Sequence, residues 1–281
     1  VGAARHYTAI EQIEREAVDG VFLVLPNTQH APYAIAAARR GLHVIVEKPM
    51  APTLAECRQM IAAARESGVT LAVAHCMAWA PPVVKAQELV AAGAIGRPIS
   101  ASISASWNAP APEPWRQSDT TERGGGPLYD AAVHALDTIQ RILGPITRVA
   151  ALLDHLAYDY AAEDASTTLV RFASGTHGVV HAHFNCSQNS LEIVGTEGRL
   201  WSDQWLGREF AGELHLRRGT QTTSFDLPRV NVYVPQIEHV SGCILRGETP
   251  IIAGEIGAAH VAVIEAAIRS ARTGTFQDVE R

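Results

Sequence analysis

The sequence predicts an α/β chain in two parts. Residues 1–97 read as a parallel sheet covered by helices, and 98–281 as an α+β domain with a large, mostly antiparallel open sheet onto which C-terminal helices pack back. Three observations carry this expectation. The 281 residues make room for about two domains. The first third alternates short apolar runs with Ala-rich or amphipathic stretches, a β-α-β-α-β rhythm whose strands are apolar on both faces. From Pro98 onward, apolar and polar residues alternate with period two, as they do in half-buried strands.

Taken in order, 21–25 is a short apolar run closed by Pro26-Asn27, and 32–40 is Ala-rich and ends at Gly41, which suits a helix closed by a left-handed glycine. The run 43–46 is a second strand. Thr53 and Glu56 form the pattern of a capping box for a helix reaching Ser67, with Gly68 closing it. A third strand covers 69–74, and Pro81-Pro82 opens a helix over 83–92. Parallel sheets bind ligands outside the carboxyl ends of their strands, so the segments after Leu25, Val46 and Ala74 are where chemistry is expected.

In the second part, 99–107 alternates Ile-Ser-Ala-Ser-Ile-Ser-Ala-Ser-Trp. A Pro/Gly-rich connection follows, then one helix over 128–143. Strands are expected at 149–153, 166–172, 178–184, 191–194 and 199–202, separated by turns such as Gly195-Thr196-Glu197-Gly198. Helices at 232–245 and 256–271 close the chain.

Composition narrows the class. Hydrophobic residues at 47% and charged residues at 19% are ordinary for a globular chain. Lys+Arg 23 against Asp+Glu 29 gives −6, which argues against a surface built to coat phosphate backbones. No run reaches the ~18 uninterrupted apolar residues of a membrane span, and the first residues lack a charged-then-apolar signal pattern. Cys57, Cys76, Cys186 and Cys243 are widely spaced, with no Cys-x-x-Cys pair. The simplest reading is reduced thiols in a cytoplasmic protein, with neither a disulfide framework nor a structural zinc.

Several residues could carry chemistry. Glu47-Lys48-Pro49 places charges where an apolar strand ends. A solvated surface pair is the bland reading; a lysine at such a strand end can also act as acid, base or hydrogen-bond donor. Asp130 and His134 stand four apart on an expected helix, with Asp137 a turn further. They are either a helix-surface pair or a substrate-facing acid and base, since imidazole titrates near neutral pH. No spacing nearby supplies further metal ligands, so no metal is expected. Gly124-Gly125-Gly126 lacks the Lys-Ser/Thr of a phosphate loop and reads as close backbone approach or unusual dihedrals. A G-x-S-x-G elbow is absent from the sequence. Trp79, Trp107 and Trp115 could stack on a sugar ring or pack in a core.

Five stretches together resemble the glucose–fructose oxidoreductase/inositol dehydrogenase (Gfo/Idh/MocA) family: Asp19-Gly20-Val21 through Leu25-Pro26-Asn27-Thr28-Gln29-His30; Gly41 through Glu47-Lys48-Pro49; Trp115-Arg116 with Gly124 to Asp130 and His134 to Asp137; Leu191 through Gly198; and the 254–274 segment. The resemblance runs almost from end to end. It implies a Rossmann-type first domain, an NAD or NADP cofactor, and hydride transfer to or from a sugar, cyclitol or related polyol. It also implies a homodimer or homotetramer formed through the C-terminal sheet, with no nucleic-acid or membrane partner. By the same resemblance Lys48, Asp130 and His134 are catalytic. Pro26, Asn27, His30, Glu47 and Lys48 line the nicotinamide-ribose side of the cofactor, and Trp115 and Arg116 join Lys48, Asp130 and His134 in holding substrate.

The chain departs from the family pattern in three places. Ala132 stands where Gly is usual, adding a methyl at a tight position. The 73–79 segment lacks the Asn and Arg often found there, which alters a pocket wall. No G-x-G-x-x-G occurs, and the match begins after the third Rossmann strand, near Ala9-Ile10-Glu11-Gln12-Ile13. Two readings of that beginning stay open: a piece of a longer chain, or a chain with weakened dinucleotide binding. A non-catalytic sugar-binding or assembly protein, and a lyase- or glycosidase-like activity, are the alternative functions on this scaffold.

Overall fold

The structure, a computed structural model, describes residues 5–13, 18–109, 119–210 and 212–280. Contacts divide the chain into two units. One comprises Val1–Ala74 with His239–Val261, the other His75–Glu238 with Ala262–Arg281. The chain therefore leaves the first unit at Ala74, ahead of the change of texture near 97, and a later segment returns to it.

In the first unit β1 (Gly20–Leu23), α1 (Asn27–Arg39), β2 (His43–Glu47), α2 (Leu54–Ser67) and β3 (Leu71–Ala74) follow one another. The three strands pair in parallel in the order β1-β2-β3, with Leu23 opposite Val46 and Glu47 opposite Ala74. Their middle strand buries Val44 and Val46, while Ala31, Ala34, Ala37 and Ala38 give α1 a small-residue buried face. Helix α1 starts at Asn27 rather than near 32 and carries Pro32 inside it, beyond the first-turn N–H groups that lack a helical acceptor, so the proline forgoes one helical hydrogen bond. The capping box of α2 is present: Glu56 N–H donates to Thr53 Oγ1 at 3.2 Å, and Thr53 N–H donates to the Glu56 carboxylate at 3.0 Å. Gly68 closes that helix at φ 65°.

The second unit has a short 3-10 turn at Cys76–Trp79, then α3 (Pro81–Ala91), and is built on a nine-stranded sheet. In chain order its remaining elements are β4 (Pro98–Ser106), α4 (Gly126–Asp130), α5 (Ala132–Leu143), β5 (Ile146–Asp154), β6 (Ala165–Phe172), β7 (His177–His183), β8 (Leu191–Gly195) and β9 (Arg199–Ser202). They continue with β10 (Glu209–Phe210), β11 (Glu213–Arg218), β12 (Gln221–Asp226) and β13 (Val230–Asn231). Helices α6 (Tyr233–Arg246) and α7 (Gly254–Thr273) follow, residues 239–246 and 254–261 of them belonging to the first unit, and β14 (Gln277–Asp278) ends the series. The sheet order is β12-β11-β9-β8-β4-β7-β6-β5-β14, antiparallel throughout except for the parallel pair β4-β7. β10 and β13 form a separate antiparallel pair.

One face of the sheet is buried. Ile103, Val149, Val170, Phe172, Val180, Leu191, Ile193 and Leu200 form one core with Val133, Leu136 and Ile139 of α5 and Val263 and Ile264 of α7. The helix expected over 128–143 is divided into α4 and α5 at Ala131, which stays in the right-handed α region at φ −99°, ψ −50°. Ala131 N–H donates to Pro127 O at 2.9 Å, and His134 N–H donates to Ala131 O at 3.2 Å. Asp130 ends α4 and His134 sits in the first turn of α5. The hairpin β11–β12, the short pair β10–β13 and the edge strand β14 have no counterpart in the sequence reading.

Candidate active-site residues

In the first unit the expected residues gather at the carboxyl ends of β1 and β2. Pro26 precedes α1 and Asn27 opens it, buried. Glu47 is the last residue of β2 and Lys48 follows it half-buried, its backbone N–H donating to Glu47 Oε2 at 3.2 Å. The Lys48-Pro49 peptide bond is cis.

His30 joins these two segments. It is 0% exposed, with Nδ1 2.9 Å from Pro49 O and Nε2 2.9 Å from Leu25 O. The neutral ring donates to one of these carbonyls and the imidazolium to both. Burial pushes the His30 pKa down, and the nearby Lys48 charge adds to that. His30 thus uses its ring nitrogens to tie the segment after β1 to the one carrying Lys48.

A surface cavity of about 330 Å³ in this unit is lined by His43, Arg65, Thr70, Glu248 and Glu255, among others, and by none of Pro26, Asn27, His30, Glu47 or Lys48. His43 and Thr70 stand at the amino-terminal ends of β2 and β3, the wrong end of a parallel sheet for chemistry.

In the second unit Asp130 is buried and His134 half-buried. Asp137 is buried and accepts Arg141 Nε on both oxygens, at 2.8 and 2.9 Å, so it orients that guanidinium along α5. Ala132, at the usual glycine position, is 1% exposed. Trp107 packs on Phe184 with ring centroids 5.3 Å apart, which is core packing. Trp79 is half-buried after β3. Trp115 and Arg116 lie outside the described residues.

The triple glycine serves backbone approach, as its composition suggested. A β carbon on Gly125 would lie 2.0 Å from Asp119 O, and one on Gly126 (φ +80°) would lie 2.6 Å from a Glu163 carboxylate oxygen. Glu163 itself was not apparent in the sequence. It is 2% exposed, accepts Leu128 N–H at 3.0 Å and also accepts the Thr121 hydroxyl. Burial pushes its pKa up to about 7 against those two stabilising donors. Next to it, Asp164 accepts the N–H groups of Leu156, Ala157 and Tyr158 at 2.8, 2.7 and 2.6 Å, and Asn185 Nδ2 at 3.2 Å. Burial acts to raise the Asp164 pKa, and these donors outweigh it and hold the pKa low. The available signal was a pair of acids set directly before an alternating strand.

The first unit is thus a parallel sheet with polar residues at its strand ends, and the second an open-sheet unit carrying the buried Asp130 with His134 four residues further along the chain. Comparison with known proteins gives the family. Residues 2–75 match the oxidoreductase family with an NAD-binding Rossmann fold, and 83–201 match the GFO/IDH/MocA C-terminal domain. The chain is 31% identical over 285 residues to 1,5-anhydro-D-fructose reductase of Ensifer adhaerens, covering 99% of this chain and 85% of that protein. It is 28% identical over 283 residues to scyllo-inositol 2-dehydrogenase (NAD(+)) of Bacillus subtilis, covering 94% and 78%. The crystal structure of aldose-aldose oxidoreductase from Caulobacter crescentus complexed with glycerol superposes with a TM-score of 0.87 at 28% identity, over 93% of this chain and 79% of that one. The chain belongs to the Gfo/Idh/MocA oxidoreductase family.

Proposed function

We propose that the protein is a nicotinamide-dependent oxidoreductase of a sugar, cyclitol or related polyol, with Lys48, Asp130 and His134 as its catalytic residues. The observation that carries this reading is the set of polar groups at the carboxyl ends of β1 and β2, tied together by His30, in a chain whose relatives are sugar and cyclitol dehydrogenases and reductases. Pro26, Asn27, Glu47 and Lys48 fit the nicotinamide-ribose end of a dinucleotide: the set combines a helix start with acceptor and donor side chains at two neighbouring strand ends. When bound, that cofactor supplies the acceptor or donor of hydride. The chain's own residues handle the alcohol. His134 takes the hydroxyl proton as the carbonyl forms and returns it in the reverse direction. Lys48 donates to the same oxygen and stabilises charge developing there. Asp130 accepts from a neighbouring hydroxyl and so sets which carbon reacts. Trp115 and Arg116 complete the substrate contacts in this reading.

The reading includes self-association through the open sheet. Alternation along the strands leaves Leu152 and Leu169 68% and 51% exposed on the face away from the core. Ala150 and Val179 stand opposite Leu169, which extends the apolar strip across three strands. A second copy, meeting sheet to sheet, covers that strip. Four free cysteines, Cys186 of them exposed, support a reducing, cytoplasmic setting.

The test is turnover by the full-length protein. Purified protein is assayed with 1,5-anhydro-D-fructose plus NADH or NADPH, and with scyllo-inositol and D-xylose plus NAD or NADP, following nicotinamide absorbance. Substrate-dependent oxidation or reduction with at least one polyol supports the reading. Sugar binding without turnover across the panel rejects it in favour of a non-catalytic scaffold.

A further inference from the structure

Glu163 belongs to no catalytic role above, yet it is a buried acid hydrogen-bonded to the segment that carries Asp130. Its two oxygens serve two different elements. Oε1 accepts Leu128 N–H at 3.0 Å, inside α4, and Oε2 accepts the Thr121 hydroxyl in the preceding turn, Thr121–Arg123. The carboxyl group occupies the volume that a side chain at residue 126 would fill, 2.6–2.7 Å from the position of a β carbon there. The packing is thus reciprocal: Gly126 has no side chain because Glu163 is there, and Glu163 is shielded from water because Gly126 admits it. Helix α4 has only five residues and ends at Asp130. A helix that short has almost no stability of its own, so its orientation comes from such tertiary bonds.

We propose that Glu163 is a positioning residue: its buried carboxylate, seated against Gly126, fixes Leu128 and Thr121 and thereby sets the orientation in which Asp130 and His134 meet the substrate. This role rests on the assignment of Asp130 and His134 above. Glu163 touches no substrate and moves no proton in it. The groups facing its carboxyl are Thr121, the Leu128 N–H and, more distantly, the Glu122 carboxylate, whose charge opposes ionisation.

The experiment compares Glu163→Ala with Glu163→Gln in the full-length protein. Two readouts are taken: amide hydrogen exchange of peptides spanning 120–131, and steady-state kinetics with the best substrate of the panel. Alanine removes both acceptors, whereas glutamine keeps the volume and an acceptor for Leu128. Glu163→Ala is expected to speed exchange in 120–131 at least tenfold and to lower kcat about tenfold or more, with the KM of the polyol and the Kd of the cofactor within threefold of wild type. Glu163→Gln is expected to restore both readouts to within threefold. Should Glu163→Ala fail to fold, Thr121→Val removes a single donor and is expected to shift exchange and kcat in the same direction, by less. Unchanged exchange and kcat in folded Glu163→Ala, or in Thr121→Val if that variant must stand in, overturn the proposal. So does a fall in kcat that Glu163→Gln fails to rescue. If wild type shows no turnover on any substrate, the catalytic reading fails, and the exchange readout still decides whether Glu163 holds this turn.

Discussion

The pH dependence of stability offers a direct measure of how Glu163 is buried. An ordinary glutamate near 4.5 is pushed up to about 7 here, and burial is the main cause. Between those two values the folded chain retains a proton that the unfolded chain has already released. Stability contributed by this group is therefore greatest below about pH 4.5, falls as pH rises to about 7, and is level above that. A gap of about 2.5 units at about 1.36 kcal/mol per unit amounts to roughly 3 kcal/mol lost across the window. Glu163→Gln carries no titrating proton and escapes the loss. Urea unfolding of both proteins at about pH 4.5 and about pH 8 gives the comparison. His30, His181 and His183, whose pKa values burial lowers, titrate in both proteins and cancel from the difference. Wild type is expected to lose roughly 3 kcal/mol more than Glu163→Gln over this range. Parallel losses, within about 0.5 kcal/mol, would refute the claim that Glu163 is dry and held neutral at low pH.

Four further outcomes are expected. Lys48→Met lowers kcat roughly 10²–10³-fold, the size of losing one donor to a developing oxyanion, as steady-state kinetics will read. If Lys48 and His134 serve one proton-transfer step, the Lys48→Met/His134→Ala double variant falls well short of the product of the two single losses. Light scattering at micromolar concentration gives a dimeric or tetrameric mass, and Leu152→Glu shifts it toward monomer; a wild-type monomer rejects the sheet-to-sheet contact. Thr53→Ala, which deletes the acceptor in the capping box of α2, costs about 1 kcal/mol in chemical unfolding.

Much of the fold was legible because its signals are local. The Thr53/Glu56 box and Gly68 bound α2 in the sequence and in the structure alike. The apolar runs at 43–46 and 69–74 announce β2 and β3, of which β3 is buried on both faces and β2 buries Val44 and Val46 on one, and the Ile-Ser-Ala-Ser alternation announces β4. Alternation reports which face of a strand is buried but not which strand lies beside it, so the parallel pairing of β4 with β7 had no signature. The hairpin Glu213–Arg218/Gln221–Asp226 was missed because its apolar residues are few: Leu214 is buried, Leu216 and Phe225 pack partly buried against the core, and the rest is polar. Its one local cue is Gly219, with φ +56°, at the turn. The break at Ala131 was also invisible: Asp-Ala-Ala-Val reads as continuous helix, and the interruption belongs to a segment held by Glu163 from 35 residues away in sequence. Lys48, Asp130 and His134 stood out by residue type and position. Glu163 did not, because an acid is remarked only once its burial is known, and burial is a property of the assembled unit.

Turnover of His134→Ala in the full-length protein tests the central claim most directly, measured on the panel substrate that wild type converts fastest, with folding verified by thermal melting and cofactor affinity by calorimetry. If His134 takes the proton from the substrate hydroxyl, kcat falls ~10²–10⁴-fold while the cofactor Kd is unchanged. Turnover within a few fold of wild type in a folded His134→Ala protein would contradict the account and leave His134 a structural residue of α5.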